Sequence, residues 1–313
     1  MLKLNLKYGF LILAATTLVS NLQATGHKVL MITKGGLSVV EADGKVSWQT
    51  KWSGAHDLRV DKEGYFYAQR KGTREICKID PKTKKVVWSY DASASNGNQG
   101  KRIEAHAFQP LGDGKMMIAE SGSGRIIEID QNGKLLHEIK LKRDHPSAHS
   151  DTRLARKLKN GNYLVAQEID GCVREYDGKS GKVVWEFKIP MDPKRKPAGG
   201  HGLTAYGSKV FAAIRLKNGN TLIGAGNNHT VLEVNPKKEI VWKLDQHELD
   251  GIALGWVTTV AVLKNGNYLI GNCHAGPDNP QLIEVNRKTK KVVWTLNDFA
   301  LVGNNSSNFV LLE

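Results

Sequence analysis

The sequence predicts an all-β protein: a six-bladed β-propeller with four antiparallel strands per blade. Three observations predict it. The string Leu-Lys-Asn-Gly-Asn recurs at 158–162, 216–220 and 263–267, each time followed by a short apolar run, YLVAQ, TLIGA or YLIGN. Trp48, Trp88, Trp185, Trp242 and Trp294 hold one place in the repeat and His137 holds it in the third copy, giving six units spaced 40 to 57 residues apart. The two ends complement each other. The first copy opens on a second strand, at 28–33, and residues 308–313 read as an inner strand with no unit after it. The last stretch therefore completes the first blade and closes the ring, which removes an exposed sheet edge.

The elements of each unit follow in order. Runs such as YFYAQ, EICKID and KVVW alternate with period two, as strands do. Four short strands in a unit of this length describe a propeller blade, and no 3.6-residue period supports a helical repeat. Asn-Gly is the preferred tight hairpin turn, with both central residues at positive φ. Inner strands are placed at 56–60, 106–110, 152–158, 210–216, 257–263 and 308–313. The Trp column is expected to pack between neighbouring blades, burying large rings.

Ahead of the repeats lies an address. Lys3 and Lys7 precede an apolar run from Gly9 to Val19, then small and polar residues up to Thr25. That order is a secretory signal, and the run is too short to span a bilayer. The expected organisation is a signal peptide over 1–25, cleaved between Ser20 and Gly26, and one propeller domain over 26–313, periplasmic or secreted and monomeric. No later segment is long and apolar enough to be transmembrane. Cys77, Cys172 and Cys273 give an odd count without a disulfide framework. The net charge of +14 falls to +12 without Lys3 and Lys7. Many lysines recur in the turns between third and fourth strands, such as Lys82, Lys84 and Lys85, and read as a solvated face. No basic stretch is interleaved with aromatics, so nucleic acid is not an expected partner.

YDGKSGKVVWEF at 176–187 and IDPKTKKVVWSY at 79–90 resemble the blade motif of quinoprotein-dehydrogenase-like (PQQ-like) propellers, and the repeats cover essentially the whole mature chain. That superfamily includes pyrroloquinoline quinone enzymes and many non-enzymatic propellers. The quinone itself is not expected, because its dehydrogenases are usually eight-bladed and longer and many carry a vicinal Cys pair. The chain is also similar, more distantly, to bacterial arylsulfotransferases, six-bladed exported enzymes with catalytic histidines at the channel. The matching feature is Ala55-His56-Asp57; those enzymes are longer and carry an extra N-terminal domain.

The loops between blades, at 91–105, 141–151, 188–209, 245–256 and 297–307, are long and dissimilar, whereas the turns on the opposite face are short and alike. Variable loops on a rigid scaffold are where function tends to sit. His56, His106, His145, His149, His201, His229, His247 and His274 all fall in or beside loops of that face; His27 and His137 belong to the scaffold strands. His56, His106, His149 and His201 are the candidate catalytic residues, as acid, base or nucleophile. The same four are the alternative ligands of a divalent metal. Gln69, Glu120, Gln167 and Asn272 end second strands behind a small residue and are candidates for ligand binding, with His274 close by. Trp256 is a candidate to stack on a sugar, and Arg102 and Arg153 to neutralise an acid group. Lys194, Arg195 and Lys196 make 188–200 a basic flap. The expected function is binding of a small polar ligand, a carbohydrate or a sulfated or carboxylated compound, at a histidine-rich channel mouth. Turnover is left open; lyase or group-transfer chemistry by histidine, with a metal as an alternative helper, is the enzymatic version. The competing class is a cell-envelope interaction scaffold, which should expose an apolar patch.

Overall fold

The computed structural model describes residues 26–312, so the signal peptide read over 1–25 lies outside the described residues. Among the described residues, 24 strands form six four-stranded antiparallel sheets, and there is no helix. The sheets stand as blades around a channel. Their inner strands are Leu58–Val60, Glu104–Gly112, Ala155–Lys157, Ala212–Arg215, Trp256–Val262 and Phe309–Leu311. Phe309–Leu311 pairs antiparallel with Val29–Thr33, with Met31 opposite Phe309 and Val29 opposite Leu311. The ring is therefore closed between the two ends of the chain. Four inner strands start later than the sequence suggests, at Leu58, Ala155, Ala212 and Phe309; in two of them side chains take the first amides, as Gln69 Oε1 accepts from the His56 and Asp57 N–H at 3.1 and 3.0 Å and Ser121 Oγ from Thr152 N–H at 3.0 Å.

Both faces of a blade pack on neighbours, so the second and third strands are buried along their length, as in YLVAQ and CVREY. Six apolar clusters fill the six seams between blades. Tyr67, Ile76, Phe108, Ile118 and Ile127 join blades two and three; Leu164, Val173, Ala213, Ile223 and Leu232 join blades four and five.

The repeated residues have repeated jobs. The second Asn of each Asn-Gly-Asn reaches the Glu of the third strand: Asn162 to Glu175 at 2.7 Å, Asn220 to Glu233 at 2.6 Å, Asn267 to Glu284 at 2.6 Å. The turn differs from the expected one. Gly161, Gly219 and Gly266 have φ of +89°, +87° and +84°, but the Asn before each does not adopt positive φ. Gly161 N–H bonds Leu158 O at 3.0 Å and Leu158 N–H bonds Asn162 O at 2.7 Å. This is a three-residue loop, an ordinary turn followed by one left-handed Gly, so only the Gly carries the conformational demand. The Trp column latches blades together. The indole N–H groups of Trp48, Trp88, Trp185 and Trp242 donate to Pro81 O, Gln131 O, Pro236 O and Arg287 O, each in the next blade's outer turn, at 2.7, 2.8, 3.2 and 2.8 Å. His137 Nε2 makes the same bond, to Gly178 O at 2.7 Å.

Candidate functional site

The first residues of the inner strands and the loops before them converge on a cleft of about 530 Å³ at one mouth of the channel. His56, His149, Arg153, His201, Phe211, Trp256, Cys273 and His274 line it, with Lys34 and Trp52 at its edge. The cleft has two halves.

Arg153 organises the first half. Its Nε is hydrogen-bonded to buried Glu168. Nη1 lies 3.0 Å from His106 Nε2 and 3.3 Å from His56 Nδ1, and Nη2 lies 3.2 Å from His149 Nε2. A guanidinium can only donate, so these ring nitrogens accept. His106 is fully enclosed, and its Nδ1 donates to Thr152 O at 3.0 Å. That carbonyl fixes the proton on Nδ1 and leaves Nε2 as the acceptor. The His56 ring stacks on His106 with centroids 4.8 Å apart. Burial, then the neighbouring His106 and Arg153, hold His56 well below the usual imidazole range. Burial and Arg153 push His106 down to about 4. Both are therefore neutral at pH 7.

Glu104 completes this half. Its Oε2 accepts from His149 Nδ1 at 2.7 Å and lies 3.0 Å from His106 Nε2, while Oε1 accepts from Arg102 at 2.8 Å. Although burial pushes the carboxyl up, the hydrogen bonds from His149 and Arg102 hold it well below the ordinary carboxylate range. Sequence reasoning missed Glu104. The available signal was Glu-x-His at the start of an inner strand, a spacing that puts both side chains on one face.

In the second half, His201 sits 4.7 Å from the Trp256 ring and 4.8 Å from His274. Burial, with His201 second, lowers His274. Phe211, beneath the Arg153 guanidinium at 5.3 Å, joins the two halves. Burial pushes the Cys273 thiol in this wall up to about 12, so it is an uncharged donor, bonded to Asn304 O at 3.1 Å. All three cysteines are free and buried.

Gln69, Arg102, Glu120, Gln167 and Asn272 do not line the cleft. Gln69 donates to Ala105 O and His106 O at 2.9 and 3.1 Å besides accepting from blade two. Gln167 bonds Lys142 O, Arg174 and Tyr176. Asn272 bonds Gly255 N–H, Ala253 O and Pro280 O. Glu120 pairs with Arg125 at 2.7 Å and Asn98 at 2.9 Å. These four, expected to contact the ligand, tie the second strands of four blades to a loop or neighbouring inner strand. Arg102 is exposed and serves Glu104. Trp256 is 3 % exposed and covered by His201, so its ring is not open for stacking on a sugar.

The four histidines offered as metal ligands are not all brought together. His201 belongs to the other half of the cleft. Among the described residues, one group has ligand atoms close enough for one ion, Glu104, His106 and His149, all within 4.8 Å. Arg153 approaches the same His106 nitrogen, so a divalent ion there would lie beside a guanidinium. His229 bonds two backbone carbonyls, Gly255 O and Ala205 O, and His145 pairs with Asp170. His247 lines a second, more open cleft of about 770 Å³, with Arg195 of the basic flap stacked 3.9 Å over Tyr206. Its two lysines are paired locally, Lys243 with Asp245 at 2.6 Å and Lys290 with Glu248 at 2.5 Å.

Six four-stranded blades, the V-V-W outer strands and the closing strand define a PQQ-like repeat propeller. The model of the family described as outer membrane protein assembly factor BamB matches residues 33–296, and the chain belongs to that family. A protein of unknown function from Bacteroides caccae is 22 % identical, with a TM-score of 0.72 over 92 % of this chain and 100 % of that one. Catalytically inactive virginiamycin B lyase from Staphylococcus aureus with quinupristin is 13 % identical, with a TM-score of 0.55 over 87 % and 85 %. The Cps50 (Swd1) β-propeller domain of Myceliophteria thermophila is 14 % identical, with a TM-score of 0.51 over 82 % and 75 %. At these identities the likenesses concern the fold. No curated protein sequence matches the chain. No helix among the described residues is long and apolar enough to cross a membrane.

Proposed function

We propose that this protein is exported and binds a small anionic ligand, a carboxylated or sulfated compound of sugar size, at the channel mouth. One observation carries the reading: an anchored guanidinium, Arg153, turns both terminal nitrogens toward three imidazoles at a cleft. A carboxylate or sulfate matches those two donors in bidentate fashion. Its arrival would release His149 Nε2 from Arg153, with Glu104 still holding the Nδ1 proton. A neutral imidazole oriented by a carboxylate is a general base, suited to removing a proton next to the bound acid group, as a lyase does. The S. aureus lyase above is inactive as a histidine-to-alanine variant, which supports histidine chemistry on this type of scaffold.

Calorimetric titration with glucuronate, a 6-sulfated hexosamine and neutral glucose tests the reading. The two anions should bind and glucose should not. Arg153→Met should weaken the anions at least about 30-fold, the effect of removing one partner of a buried charge pair. Equal binding of glucose, or unchanged binding by the variant, overturns it.

A second reading, an envelope scaffold, is favoured by aliphatic side chains on the outer strands. Val87, Val184 and Val241 are 53 %, 55 % and 49 % exposed along open sheet edges. The family's description as an assembly factor supports it too. Under that reading none of the three probes binds.

A further inference from the structure

We propose a second, separate anion site inside the channel beneath the cleft, where Arg59 and Arg156 converge, for a small inorganic anion. The inner strand Leu58–Val60 leads away from His56 and the cleft. Leu58 and Val60 pack into the seam with blade one. Alternation along the strand turns Arg59 to the opposite side, toward blade three. Its register partner Tyr67 lies in the seam of blades two and three.

Arg59 is only partly exposed. It is also the one arginine of the described residues with no ion pair, hydrogen bond or ring beneath it. Even Arg74 and Arg195, on loops, have a carbonyl or a tyrosine. The carboxylate near Arg59 is already engaged. Buried Asp57 takes Arg156 on both oxygens, each bond 2.7 Å. It also accepts from Asn308 at 2.9 Å, Leu58 N–H at 3.0 Å and Phe108 N–H at 3.2 Å. One carboxylate thus faces two guanidinium groups, and a positive charge is left over. Arg156, with burial second, pushes Arg59 down to about 10, so it stays cationic at neutral pH. A guanidinium drawn out of bulk water without an acceptor is costly. An anion between the two arginines supplies both the charge and the acceptor.

Two measurements test this site. Crystals grown in bromide should show an anomalous peak between Arg59 and Arg156. Melting temperatures of Arg153→Met, whose cleft has lost its anchor for carboxylates such as gluconate, in chloride, phosphate or gluconate at equal ionic strength, give the solution answer. This variant should melt higher in a small anion than in gluconate, since a ligand that binds only the folded state stabilises it. A rise in chloride alone identifies a halide site, and a rise in phosphate alone an oxyanion site. Adding Arg59→Met should abolish the rise and, freed of repulsion from Arg156, raise the melting temperature in gluconate by about 2 °C. The cleft anchor is absent throughout, so this site and the proposed function fail independently. No bromide peak at that point, or an undiminished rise after adding Arg59→Met, overturns the proposal. If the double variant does not fold, the bromide peak decides.

Discussion

His106 has to be neutral to fold as it does. Its folded pKa of about 4 lies below the ordinary value of 6.5, because burial and Arg153 disfavour the imidazolium. Between those two values the unfolded chain binds a proton that the folded one does not, so stability rises with pH there. The contribution is fully present above 6.5 and is lost as pH falls toward 4. Its size is on the order of 3 kcal/mol. Urea midpoints measured from pH 7 to pH 4 should fall across this window. His106→Asn can keep the bond to Thr152 O without the titration and should flatten the curve; an equal fall in both proteins would assign it elsewhere. A second prediction concerns Arg153. Removing its guanidinium leaves ligand atoms of Glu104, His106 and His149 within 4.8 Å of one another, with no guanidinium at the His106 nitrogen. Arg153→Ala should therefore acquire cobalt or zinc, read from the visible spectrum of the cobalt form, and the wild type should take up much less. Equal uptake by both would mean that Arg153 does not hold the metal off.

The latches belong to the scale of the strand. Trp242→Phe keeps most of the ring but loses the bond to Arg287 O, and should cost about 1 kcal/mol in chemical denaturation. Asn272→Leu is more severe. It strands the Gly255 N–H and the Ala253 and Pro280 carbonyls, so a loss of about 2 kcal/mol or more is expected. A loss below half that figure would show that the 245–256 loop re-forms its bonds another way. The blades were readable because Leu-Lys-Asn-Gly-Asn and the Trp column repeat one physical job in several copies. Gln69, Glu120, Gln167 and Asn272, offered by the sequence for ligand binding, also hold strands to loops in several copies. A polar residue recurring at one place in most blades answers a need of every blade, and a ligand is bound once. The cluster around Arg153 was readable only in part. His56, His106 and His149 stand out in their loops, but Glu168, Phe211 and Cys273 reach the site from three blades, and no local pattern announces them. The Asn-Gly turn was misjudged because the dipeptide does not reveal that the loop has three residues.

At the scale of the whole molecule, stability is shared by six seams, and each blade depends on two neighbours. A seventh contact is the short pairing of Phe309–Leu311 with Val29–Thr33. A chain ending at residue 305 keeps six outer hairpins but leaves the inner edge of blade one bare. It should lose cooperative thermal unfolding and elute partly as aggregate in size-exclusion chromatography. A truncated chain that melts sharply as a monomer would show that the seams suffice without the clasp.

The clasp also sets an order of events. Among the described strands, the innermost strand of the first blade is the last to be made. Later blades can form their hairpins while the chain is still growing. The first blade must wait with Val29–Thr33 unpartnered on one side until Phe309–Leu311 arrives. A nascent chain stalled before that point presents a free strand edge to any neighbour. The first blade is therefore completed only after the other five have been made, and whatever shields Val29–Thr33 in the interval governs the yield.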